Sequence, residues 1–151
     1  MNLPIAEMPV PFRFRPETPM TDEELLRLSE RNEILRIERD ASGWIHVKPI
    51  AGCRVSSAEV AICSALGRWT DDDGRGKAFL CAGFILPDSS MFGCSLAWML
   101  NERWRSLTKK QQKSFAPRCP DFVIEVLSPF DTLAKLESKM ELWIANGAQV
   151  A

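Results

Sequence analysis

Apolar residues change their spacing several times along the chain, and each change marks an element. Thr21-Asp22-Glu23-Glu24 opens the first helix, with a Thr hydroxyl to cap free amides and a Glu three residues later reaching back. Leu25, Leu26 and Leu28 carry that helix to about Arg31. Alternating stretches at 34–38 and 44–48, around the turn cluster Asp40-Ala41-Ser42-Gly43, predict a β-hairpin. Ser56-Ser57-Ala58-Glu59 repeats the capping signature, and Val60, Cys63, Leu66 and Trp69 then follow at helical spacing until Asp71-Asp72-Asp73-Gly74 stops the helix. Residues 79–86 read as one strand, 87–90 as a turn and 96–100 as the returning strand. Short helices are expected after Asn101 and after Thr108. The last helix starts at Pro129, carries the stripe Leu133, Leu136, Met140 and Trp143, and stops at Asn146-Gly147.

Between the last two helices lies the run Pro120-Asp-Phe-Val-Ile-Glu-Val-Leu-Ser128. Its β-branched and aromatic residues predict a central strand buried on both faces. One acid, Glu125, interrupts it, and a carboxylate inside an apolar strand is costly unless a cation or hydrogen bonds compensate. Asp121, four residues earlier, projects from the same face of an extended chain. Two acids on one strand face suggest a divalent-metal site.

The remaining composition narrows the chemistry. A chain of 151 residues supports one domain, preceded here by a proline-rich arm over residues 1–20 that holds five of the ten prolines and is expected to be extended. A net charge of −1 argues against a broad basic surface, although Arg103, Arg105, Lys109, Lys110, Lys113 and Arg118 form a local basic run. Five scattered cysteines without a C-x-x-C pair predict reduced thiols in a cytoplasmic protein, and no apolar stretch approaches the length of a membrane span. His46 is alone and has no cysteine partners at zinc spacing, and the three aspartates at 71–73 lack the spacing of a calcium loop.

Several segments together resemble the Uma-two family of restriction-endonuclease-like proteins, within the PD-(D/E)XK nuclease superfamily. They are Arg36-Ile37-Glu38 before Gly43, Gly83-Phe84-Ile85-Leu86-Pro87-Asp88, Glu102-Arg103-Trp104, the block from Ala116 to Val126, and Ser128-Pro129 through Lys139-Met140 to Asn146-Gly147. The resemblance covers residues 21–151 as an endonuclease-like domain. It implies an α/β fold, a mixed β-sheet flanked by helices, and cleavage of DNA phosphodiesters dependent on Mg²⁺ or Mn²⁺. It also implies association into homodimers. The superfamily's usual lysine, two residues after the acid, is replaced by Leu127, and the resemblance assigns the catalytic lysine to Lys139 instead. Glu125, Lys139 and Asp121 are then the catalytic candidates, and Glu125, Asp121 and Ser95 the metal ligands.

Two departures from the family pattern stand out. Gly93-Cys94-Ser95-Leu96-Ala97-Trp98 puts Ser95 where the family carries a metal-binding Asp, and a hydroxyl is a much poorer Mg²⁺ ligand than a carboxylate. Asp121 is the stronger candidate to compensate, and Asp88 is more simply a turn residue. After the Asn-Gly stop the family continues into a final strand, whereas here Gln149-Val150-Ala151 follows, so a sheet edge is expected to lack its neighbour unless another chain or the arm covers it. A truncated gene product is one explanation. Three readings follow: an active metal-dependent endonuclease, an inactive nuclease-fold module that binds DNA or protein, and an unrelated α/β domain in which Glu125 sits in a structural ion pair.

Overall fold

The computed structural model describes residues 8–151; the first seven residues of the expected arm lie outside the described part. Helix α1 (Asp22–Glu30) begins with the reciprocal capping box, Thr21 accepting from the Glu24 amide while the Glu24 side chain accepts from the Thr21 amide. Strands β2 (Leu35–Arg39) and β3 (Ile45–Pro49) form the expected antiparallel hairpin, with Gly43 taking a φ of 84° in the turn. The arm is not separate from this unit. Phe12–Phe14 forms β1 and pairs antiparallel with β3, so the arm covers the outer edge of this sheet.

Helix α2 (Cys53–Asp73) starts one turn earlier than the sequence suggests, with Gly52 as its N-cap, and ends at Gly74 in the left-handed region. Ser56 therefore lies inside the helix, and the apparent capping box there is not one. The expected strand at 79–86 is two strands belonging to different sheets. These are β4 (Gly76–Leu80) and β5 (Gly83–Ile85), separated at Cys81, whose φ is 50°. A further strand, β6 (Met91–Gly93), follows the 87–90 turn and pairs with β5, before β7 (Leu96–Leu100) returns to β4.

The result is a five-stranded sheet, β1-β3-β2-β6-β5, and a three-stranded one, β4-β7-β8, where β8 is Phe122–Ile124. Among the described residues all strand pairs are antiparallel, and parallel pairing occurs only at the bridges Phe84–Ala116 and Phe122–Val150. Helices α3 (Asn101–Arg105) and α4 (Lys109–Gln112), the latter with a capping box at Thr108, lead into β8. The run around Glu125 is thus a short strand with one full strand neighbour, β7, and not the centre of the sheet. On its other side the Val123 amide donates to the Val150 carbonyl at 3.0 Å, so residues at the C-terminal end begin to fill the edge expected to lack a neighbour. The arm lies on the other sheet and does not cover it.

Helix α5 (Leu133–Ala145) is capped by Thr132, three residues beyond Pro129, and its indole Trp143 is fully buried. Trp143 packs among Phe84, Phe92, Met99 and Val123, joining residues from both sheets into one core. Leu136 and Met140 are half-buried, whereas Leu133, expected in the same stripe, is exposed. The opposite face of the three-stranded sheet is covered by α2 through Leu66, against Leu96 and Trp98. Among the described residues no helix is long and apolar enough to cross a membrane.

Candidate active site

The chain leaves the five-stranded sheet after Gly93 and enters the three-stranded one at Leu96, and side chains from β2, α5 and the residue after β8 meet beside the Gly93 backbone there. Residues i and i+4 of α5 share a face, so Lys139 and Trp143 point the same way. The Lys139 Nζ donates to Glu38 Oε1 at 2.9 Å and to the Gly93 carbonyl at 2.7 Å, and lies 2.8 Å from Glu125 Oε1. The Trp143 Nε1 donates to the same Glu125 oxygen at 3.4 Å, and the Gly93 amide donates to Glu38 Oε1 at 3.0 Å. Both carboxylate side chains are only 4% exposed and the lysine 15%. The acid inside the apolar run is therefore turned inward and compensated by an ammonium, as burial demands.

Electrostatics follow from this packing. Burial alone would raise the Glu38 carboxyl, yet Lys139, with Lys48 and Arg36 behind it, holds it below its ordinary value of 4.5. Burial alone would lower Lys139, but Glu38 and Glu125 raise it above 10.5, so the lysine is a cation at neutral pH. Burial likewise opposes the charge of Arg36, which Glu38, Glu125, Cys81 and Glu59 outweigh.

Ser95 is buried just before β7, one step beyond the Leu96–Ile124 pair and so opposite Glu125. Its Oγ accepts a hydrogen bond from the Val126 amide at 3.2 Å. Asp121 is not at this centre. Asp121 and Glu125 flank the three residues of β8 on the same face, and at extended-chain spacing their positions are about 13 Å apart, much too far to grip one ion. The Asp121 carboxylate instead accepts from the Leu100 amide at 2.9 Å and from the Arg103 guanidinium, while its backbone carbonyl accepts from Gln149 and Val150. Asp121 ties β7, α3 and the C-terminal residues together. Asp88 caps its own turn through Ser90 and binds Asn146 at 2.9 Å.

Sequence reasoning left three residues of this centre without a role: Glu38, Arg36 and Glu59. Glu38 was legible as an acid in the alternating strand 34–38, on the same face as Arg36. Glu59 sits on the buried face of α2 between Val55 and Leu66, a polar residue at a core position. These groups, with Ser95, Glu125 and Lys139, line a cleft of about 650 Å³. Its rim includes Lys48, which bonds Asp131 at 2.7 Å, and Arg13 of the arm, whose guanidinium stacks 4.7 Å from the Trp44 ring.

The donors in the cleft are carboxylate and hydroxyl oxygens, the hard set that Mg²⁺ or Mn²⁺ prefers. Only Oε1 of Glu125 is engaged by Lys139 and Trp143, which leaves its second oxygen for a cation. Among the described residues no three His, Cys, Asp or Glu side chains converge closely enough to enclose a metal. The set fits a cation that keeps water or takes substrate oxygens, not one caged by protein.

No curated protein matches the chain. In three dimensions it resembles the crystal structure of a "putative nuclease belonging to DUF820" from Anabaena variabilis, with a TM-score of 0.71 and 21% identity, covering 87% of this chain and 71% of the other. At that identity the likeness concerns the fold. The family model described as "Uma2: Putative restriction endonuclease" matches residues 22–151, everything from the first helix onward. Because that match spans most of the chain, the chain belongs to the Uma2 family.

Proposed function

We propose that this protein is a metal-dependent DNA endonuclease in which Glu125 and Lys139 are the catalytic pair. The observation that carries the reading is the Lys139 ammonium, buried and held 2.8 Å from Glu125 in the lining of a cleft, in a family whose description reads "Putative restriction endonuclease". Glu125 and the Ser95 hydroxyl would hold Mg²⁺ or Mn²⁺, which when bound activates water and neutralises charge on a phosphate. Lys139 stays protonated beside its two acids, and it orients the attacking water or faces the developing oxyanion. Glu38 and the Gly93 carbonyl are positioning groups that fix the lysine, and Trp143 fixes the carboxylate. Arg36 brings a second cation to the same cleft for the phosphodiester.

The purified protein is expected to nick supercoiled plasmid DNA with Mg²⁺ or Mn²⁺, and Glu125→Ala to lower the rate by at least a hundredfold. Nicking undiminished in that variant, or absent with either metal, contradicts the proposal. A second reading, a DNA-binding module without cleavage, is favoured by Ser95: its oxygen is neutral and already accepts from Val126. On that reading DNA is bound and left intact with either metal.

A further inference from the structure

The basic run that precedes β8 lies outside the cleft. Residues 101–120 carry six Lys or Arg and one acid, Glu102, in a chain whose net charge is −1. Arg105, Lys109, Lys110 and Lys113 are exposed on α3, on α4 and just after it, and none of them lines the cleft. Arg103 and Arg118, at the two ends of the run, line a separate cavity of about 290 Å³ with Asn146 from the end of α5. Among the described residues that lining contains no Asp or Glu, and it shares no residue with the cleft.

The two guanidiniums differ in what they touch. Arg103 pairs with the Asp121 carboxylate and donates to the Cys119 carbonyl at 2.9 Å, so its charge is met inside the protein. Arg118 is half-buried, and among the described residues its buried Nε has no hydrogen-bond partner and no carboxylate lies within ion-pairing distance of it. Asp88, next to Pro87 of the lining, is engaged by Ser90 and Asn146. A partly desolvated guanidinium without an acceptor is costly, and its planar fork of donors matches the oxygens of a phosphoryl group.

We infer that this cavity is a phosphate-binding site outside the cleft, in which Arg118 beside Arg103 pairs with a phosphoryl oxyanion. The exposed lysines and Arg105 around it suit a DNA backbone phosphate, and a free phosphate monoester offers the same chemistry. The inference goes beyond the endonuclease reading, since it needs neither Lys139 nor a metal.

The test uses the full chain without divalent metal, so that DNA is bound and not cut. Inorganic phosphate binding is followed by phosphorus nuclear magnetic resonance, and binding of a fluorescent DNA duplex by anisotropy at several salt concentrations. Arg118→Gln is expected to weaken phosphate binding at least fivefold and to leave the phosphate-free melting temperature unchanged or higher. It should also lower the slope of log affinity for DNA against log salt by about 0.9, the share of one phosphate contact. Arg118→Lys, which keeps the charge, should recover part of both. Phosphate binding lost with an unchanged DNA slope supports the site and makes a free phosphate monoester its ligand. Phosphate binding that is undiminished in Arg118→Gln, or absent from the unaltered chain, refutes the inference. So does binding lost in Arg36→Gln instead, which puts the anion in the cleft, or a lower phosphate-free melting temperature in Arg118→Gln, which shows a structural arginine. Phosphate held at Arg118 by a chain that nicks no plasmid leaves the site standing and removes the endonuclease reading alone.

Discussion

Lys139 holds the centre together at the level of single residues. Its ammonium is the shared counter-charge of two buried carboxylates, and removing one member of such a set leaves the others uncompensated. Lys139→Met should therefore destabilise the protein by about 3–5 kcal/mol at neutral pH, measured by urea unfolding. The loss should shrink in acid. Glu38 has a folded pKa below its ordinary 4.5, so the stability it contributes is present above that value and is lost as pH falls through the folded one. In the variant, protonation of the stranded Glu38 removes a buried uncompensated charge instead, and the two unfolding curves should converge as pH falls below about 4.5. A variant as stable as the parent at pH 7 would mean the acids have another partner.

At the scale of elements, sequence legibility tracked local chemistry. The capping boxes at Thr21 and Thr108 and the Gly43, Gly74 and Gly147 stops need only neighbouring residues, and they sit where the pattern puts them. The helix around Glu59 shows the limit. Ser56 mimics a start, but α2 begins at Cys53 after Gly52, which makes no side-chain cap, and Glu59 lies in its second turn on the buried face instead of in the first turn. The 79–86 run could not reveal that Cys81 diverts it into a second sheet, since sheet membership is decided by distant partners. Asp121 was misassigned for a different reason: face alternation gives direction and says nothing of the distance along a strand. Close packing within an element also makes a prediction. A Cβ at Gly76 would meet the Trp98 ring at 2.1 Å, and that ring is held against Trp69. Gly76→Ala should cost about 1–3 kcal/mol in urea unfolding; an unchanged midpoint would show that Trp98 can swing away.

Across the whole molecule, the two sheets are joined through the Trp143 core and separate on the side where Glu38, Ser95, Glu125 and Lys139 meet. The family match runs over 22–151, and the arm strand β1 adds Arg13 to the lining of the cleft. The most direct test is a crystal soaked in Mn²⁺ and measured for anomalous scattering. A peak at bonding distance from the second oxygen of Glu125, with Lys139 still against the first, is the predicted result. A map without a peak in the cleft, with Lys139 unmoved between Glu38 and Glu125, would contradict it.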